Sequence, residues 1–129
     1  MANPIHAGLA IGTIGELLVQ TRLLQYDVQA APPLKDSGND LIALRGYEVR
    51  TIQVKTSSAG LPQIRNLPDR YHLLALVRLD GYGYELLLDK SEIFLVPREE
   101  VAGVYRDGGK LDGFRLTREH VDRLFEPRK

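Results

Sequence analysis

Apolar and polar positions change rhythm several times along this chain. From Ile5 to about Gln25, the residues Ile5, Leu9, Ile14, Leu17, Leu18, Thr21 and Leu24 recur at helical spacing. That spacing predicts a helix with one buried stripe. Gly8, Gly12 and Gly15 interrupt the stripe; glycine lowers helix propensity and suits close approach to another backbone. The rhythm then shortens. Tyr26 to Ala31 reads as a short strand stopped by Pro32-Pro33, and Lys35 to Asn39 is a turn-forming cluster. The stretch NDLIALRGYEVRTIQVK, Asn39 to Lys55, has two β-branched apolar runs around Arg45-Gly46-Tyr47-Glu48 and predicts a β-hairpin.

Thr56 to Arg70, with Gly60, Pro62 and Pro68, reads as a loop with room for a short helix. His72 to Leu79 (HLLALVRL) is apolar on both alternating sets, as a strand inside a sheet requires. Asp80 to Gly83 turns the chain into a strand from Tyr84 to Leu88, and Glu92 to Val96 makes another, closed by Pro97. A final helix has Thr117 as its cap, Glu119 at its positive end, and Val121, Leu124 and Phe125 as its buried stripe. The order predicts an α/β or α+β domain with helices packed on a mixed sheet.

A chain of 129 residues supports one such core and not two, and no repeat or linker divides it. With no cysteine, disulfides, zinc–thiolate sites and thiol catalysis are excluded. No signal-like segment or membrane-length apolar run is visible, so a cytoplasmic protein is expected. The 17 basic and 17 acidic residues balance, which argues against a surface that is basic throughout but leaves room for a local basic face.

The hairpin gathers chemistry at its open end. With Gly46-Tyr47 as a two-residue turn and glycine leading, as a type II′ turn wants, Arg45 pairs with Glu48. Asp40 then lies opposite Gln53, and Lys55 points the same way as Gln53. A carboxylate, an amide and an ammonium so placed suit phosphodiester hydrolysis. A hard cation takes oxygen ligands, can lower the pKa of a bound water, and can be served by a neighbouring lysine. The Val54 carbonyl is close enough to contribute, and Glu16, bordering the apolar stripe of the first helix, is the candidate second carboxylate.

Each residue also has an ordinary reading. Asp40 can simply end a turn, Lys55 can guard a strand edge, and Glu16 can be a surface residue; Gln53 between Ile52 and Val54 is harder to dismiss. His6, His72 and His120 show no ligand spacing and read as structural. Ser57-Ser58 lacks triad partners. The glycines of GLAIGTIGE lack the strand and the Gly-Lys-Ser/Thr of a phosphate loop.

Taken in order, Gly15-Glu16, Asp40, Gln53-Val54-Lys55 and Thr56-Ser57 resemble the PD-(D/E)xK nuclease superfamily. GTIGELLVQTRLL, GNDLIAL and IQVKTSS are similar to small Holliday-junction-resolvase-like members. They are closer still to the Q-x-K variant of intron-associated homing endonucleases, and the likeness spans roughly residues 8 to 101. The resemblance implies a single domain, residues 1–129, with a restriction-endonuclease-like core. It also implies a Mg²⁺-dependent DNA endonuclease, with Mn²⁺ as the alternative ion. Glu16, Asp40, Gln53 and the Val54 carbonyl would hold the metal, with Glu16, Asp40, Gln53 and Lys55 as the catalytic set. Thr56, Ser57, Arg65 and Arg70 are the candidate nucleic-acid contacts, and a homodimer or higher homo-oligomer would bring a site to each DNA strand.

Two departures stand out. Asn39 and not proline precedes Asp40, and Gln53 replaces the usual acid. The second raises an alternative, a catalytically inactive module that keeps the fold and binds DNA or a partner protein. It also carries an expectation: Gln53→Glu should restore the missing charge and tighten metal binding.

Overall fold

The computed structural model describes residues 7–35, 38–82, 85–106 and 110–127. Expectations for Ile5, His6, the Asp36–Ser37 step, Gly83–Tyr84 and the Leu9 side chain fall outside that description. Helix α1 (Ala7–Leu24) leads into β1 (Gln29–Ala31), and β2 (Leu41–Arg45) and β3 (Glu48–Ser57) form the hairpin. Strand β4 (Leu73–Arg78), the two-residue strands β5 (Gly81–Tyr82) and β6 (Glu85–Leu86), and β7 (Glu92–Pro97) follow. Helices α2 (Val101–Arg106) and α3 (Arg118–Leu124) complete the order.

Five strands make one mixed sheet, β1-β2-β3-β4-β7, while β5 and β6 pair apart from it. Neighbours run antiparallel except β3 and β4, which are parallel. Gly46 has φ +61° while Tyr47 does not enter the positive region, as a type II′ turn demands. The predicted register holds, with Arg45 opposite Glu48 and Leu41 opposite Ile52.

Each face of the sheet carries a core. On one, Leu41, Ala43, Ile52, Val54, Ala75 and Val77 pack with Val19 and Leu23 of α1 and Val121 and Phe125 of the α3 end. On the other, Leu74, Leu76, Phe94 and Val96 are covered by Val101, Val104, Leu111 and the 58–72 loop through Leu61, Ile64, Leu67 and Tyr71. Strand β4 thus buries alternating residues on both faces, as its sequence predicts.

Three expectations are adjusted. The α1 stripe is rotated: Leu17 and Leu24 are 55% and 62% exposed, whereas Ile11, Ile14, Leu18, Val19 and Leu23 face the core. The loop read from Thr56 to Arg70 is a loop, but it starts later because β3 runs on to Ser57, and no short helix forms within it. The strand expected at Tyr84–Leu88 includes only Glu85–Leu86 among its described residues, followed by a 3₁₀ turn at Leu88–Lys90. Helix α2 was not apparent in the sequence: Val-Ala-Gly-Val-Tyr-Arg has low helix propensity and owes its form to packing on the sheet. The closing helix behaves as read, with the Thr117 hydroxyl accepting from the His120 N–H at 3.1 Å.

Arg50, 4% exposed, ties that helix to the sheet. Its guanidinium donates to the Leu124 and Glu126 carbonyls, each at 3.0 Å, and lies 5.6 Å from the centre of the Phe125 ring. These carbonyls belong to the unpaired end of α3, where a cation is favoured. Arg50→Met should cost on the order of 3 kcal/mol in chemical denaturation, from lost charge-assisted bonds and orphaned carbonyls. Arg50→Lys should recover only part of that, because a single ammonium lacks the planar fork that reaches both acceptors.

Candidate active site

Strand β3 changes partners at Ile52. Its first half, Glu48 to Ile52, pairs with β2, and Ile52 to Ser57 pairs with β4. Past Ile52 the β2 side of β3 therefore meets no continuing strand among the described residues. Asp40 stands in that step. Its N–H donates to the Ile52 carbonyl at 3.1 Å, and its carboxylate Oδ2 accepts the Val54 N–H at 2.8 Å. Main-chain N–H and C=O of one strand residue point to the same side, so the Val54 carbonyl also points into the opening. The end-of-strand reading of Asp40 and the ligand reading are compatible: one carboxylate oxygen closes the ladder and the other remains.

Glu16 reaches this opening from α1 because of Gly15. A Cβ on Gly15 would lie 1.8 Å from the Thr56 Oγ1, so only glycine allows the helix to pack this close to β3. The next residue, Glu16, then borders the sheet on the flank nearest Asp40. Its pKa is raised, first by burial and then by the charge of Asp40. Two carboxylates sharing a poorly solvated space are what a cation would relieve.

From the other face come Gln53 and Lys55. Both lie on the side of Leu74 and Leu76, their partners in β4. Gln53 is 5% exposed, and its Nε2 donates to the Gly38 carbonyl and to the Asn39 Oδ1 at 3.4 Å. Lys55 is half-buried and makes no ion pair or hydrogen bond among the described residues. The structure thus brings Glu16, Asp40, Gln53, Val54 and Lys55 to one stretch of β3. Among the described residues no three His, Cys, Asp or Glu side chains cluster; the two acids here, Glu16 and Asp40, have an amide and a main-chain carbonyl on the same stretch of β3.

The other expected contacts separate. The Thr56 Oγ1 is buried without a hydrogen-bond partner beneath Gly15, so that hydroxyl is not presented to a nucleic acid although the residue itself is half-buried. Ser57 Oγ accepts the Ala59 N–H at 3.0 Å and shapes the loop entry. Arg65 and Arg70 are exposed, and Arg65 borders a groove of about 720 Å³ with Ile64, Leu67, Tyr71 and Arg98. Arg98, which sequence reasoning missed, lies 5.8 Å from the Tyr71 ring centre. Much of the remaining arginine is already engaged: Arg45 with Asp122, Arg50 with Glu48, Arg78 and Arg115 with Glu92, Arg118 with Asp27. His72 and His120 are structural as expected, bonded to the Thr51 N–H and the Leu95 carbonyl.

Gly15→Ala should push α1 off β3 and destabilise the fold by about 1–3 kcal/mol, read as a lowered denaturation midpoint. Glu16→Gln should do the opposite in metal-free buffer. Because the Glu16 pKa is raised in the fold, its charged form opposes folding above that pKa, and the penalty vanishes where the carboxyl is protonated. Its melting temperature should exceed that of the unmodified chain near pH 8, and the gain should fade as pH drops into the carboxylate range.

No family model matches this chain, and no curated protein matches it. Among solved structures it is similar to one described as the structure of a bacterial homing endonuclease, I-Ssp6803I. The TM-score is 0.60 at 17% identity, covering 93% of this chain and 94% of that one. The five-stranded mixed sheet of this chain, flanked by helices and matched over nearly the full length of both chains, is a nuclease-like fold.

Proposed function

We propose that this chain is a DNA endonuclease that hydrolyses phosphodiester bonds with a divalent cation, Mg²⁺ or Mn²⁺, on a PD-(D/E)xK-like core. The observation that carries the reading is the step in β3, where Asp40, the Val54 carbonyl, Glu16, Gln53 and Lys55 converge. Its placement in a fold like that of a homing endonuclease adds support.

The donor set fits a hard cation, being made of oxygens from two carboxylates, an amide and a main-chain carbonyl. When bound, the cation supplies Lewis-acid stabilisation of charge at the phosphorus centre. Glu16, Asp40, Gln53 and Val54 would hold it. Lys55 would hydrogen-bond the attacking water and offset negative charge as the bond to phosphorus forms. Arg65, Arg70 and Arg98 would take phosphates, and Ser57 helps set the course of the loop that presents the first two. One copy offers one such site, so a homodimer or higher homo-oligomer would cut both strands.

The second reading is a binding module without catalysis, favoured by the absence of a third acid at the site among the described residues. A panel of linear duplex, supercoiled and four-way-junction DNA, incubated with Mg²⁺, Mn²⁺ or EDTA, separates the two. Metal-dependent cutting that falls about 100-fold or more in Lys55→Ala, with an unchanged circular dichroism spectrum, is the expected result. Undiminished cutting by Lys55→Ala would end the mechanism; DNA retention without cutting by the unmodified chain would favour the module.

A further inference from the structure

Gln53 occupies the position where an acid is usual in the proteins the sequence resembles, and the simplest account is a lost charge. Its surroundings say otherwise. The side chain is 5% exposed, and both partners of its Nε2 are acceptors, the Gly38 carbonyl and the Asn39 Oδ1. Gly38 has φ +85°, a conformation that other residues adopt only with strain. The two N–H bonds of the amide are thereby used. The Oε1 accepts no hydrogen bond among the described residues, and it is the end of the amide not taken by Gly38 and Asn39. A carboxylate in the same place would set its own oxygen against the Gly38 carbonyl, a buried charge facing an acceptor.

We propose that Gly38 and Asn39 are positioning residues that require an amide at position 53 and aim its oxygen at the site. The role of that oxygen as a ligand rests on the nuclease reading, while the requirement for an amide stands on the metal-free chain. Gln53→Glu is therefore not a gain of function, which reverses the expectation drawn from the sequence.

The experiment measures melting in EDTA at pH 8 for the unmodified chain, Gln53→Glu, Asn39→Asp and the double variant. Mn²⁺ binding by the unmodified chain and by Gln53→Glu is measured by calorimetry. Gln53→Glu should melt about 5 °C or more lower and bind Mn²⁺ no more tightly. Asn39→Asp keeps an acceptor oxygen and should stay near the unmodified chain, whereas the double variant should fall by more than the sum of the single changes. A Gln53→Glu protein that melts normally and binds Mn²⁺ more tightly overturns the proposal. If that variant does not fold, Gln53→Met decides: it removes the donor without adding charge, so melting below the unmodified chain supports the proposal and equal or higher melting overturns it. An unmodified chain that binds no Mn²⁺ but shows the melting pattern keeps the amide requirement and removes the nuclease reading.

Discussion

The bond from the Val54 N–H to the Asp40 carboxylate sits where one strand exchanges neighbours. Strand β3 is paired with β2 before Ile52 and with β4 after it, and a strand that loses a neighbour exposes unpaired main-chain groups. A carboxylate covers the first of those groups. The same side chain that ends the ladder is then held by the ladder, on the side of β3 to which the Val54 carbonyl also points. The chemistry proposed for the site rests on an edge inside a sheet that would otherwise be covered on both sides.

Close packing makes that edge usable. Without a side chain at Gly15, α1 lies against Thr56 and brings Glu16 near Asp40; the unpartnered, buried Thr56 Oγ1 is a cost of this approach. On the far side, the Gly38–Asn39 segment lies against Pro68 of the 58–72 loop and holds the amide of Gln53. The acid from the helix and the amide from the sheet thus approach from opposite faces, each through backbone that only glycine accommodates. Stability is secured elsewhere, by two apolar layers and by Arg50 at the end of α3.

The cations divide along similar lines. Arg45, Arg50, Arg78, Arg115 and Arg118 are engaged by acids, and much of their charge is balanced within the fold. Lys55, Arg65 and Arg70 take part in no ion pair among the described residues, and Arg98 meets the Tyr71 ring. A chain of zero net charge can in this way leave some basic groups outside its internal ion pairs, so overall neutrality does not exclude a local basic face.

Much of the layout of the candidate site was legible from local rules. Strand alternation and the glycine of the Gly46 turn are short-range properties, so the facing of Asp40 and Gln53 and the shared side of Gln53 and Lys55 follow from the sequence alone. The apolar run of β4 and the Thr117 cap are legible for the same reason. Other features depend on partners distant in the chain. Which face of α1 is buried was decided by the fit of Gly15 to Thr56, because leucines around the helix offer more than one plausible stripe. Helix α2 exists because the sheet supplies its apolar contacts, and Arg50 is buried because the end of α3 needs a donor. The direction of the Gln53 amide was set by two acceptors from a loop far earlier in the chain. Periodicity along a chain determines which residues share a side; only the packed neighbours determine which atom of a side chain is left facing out.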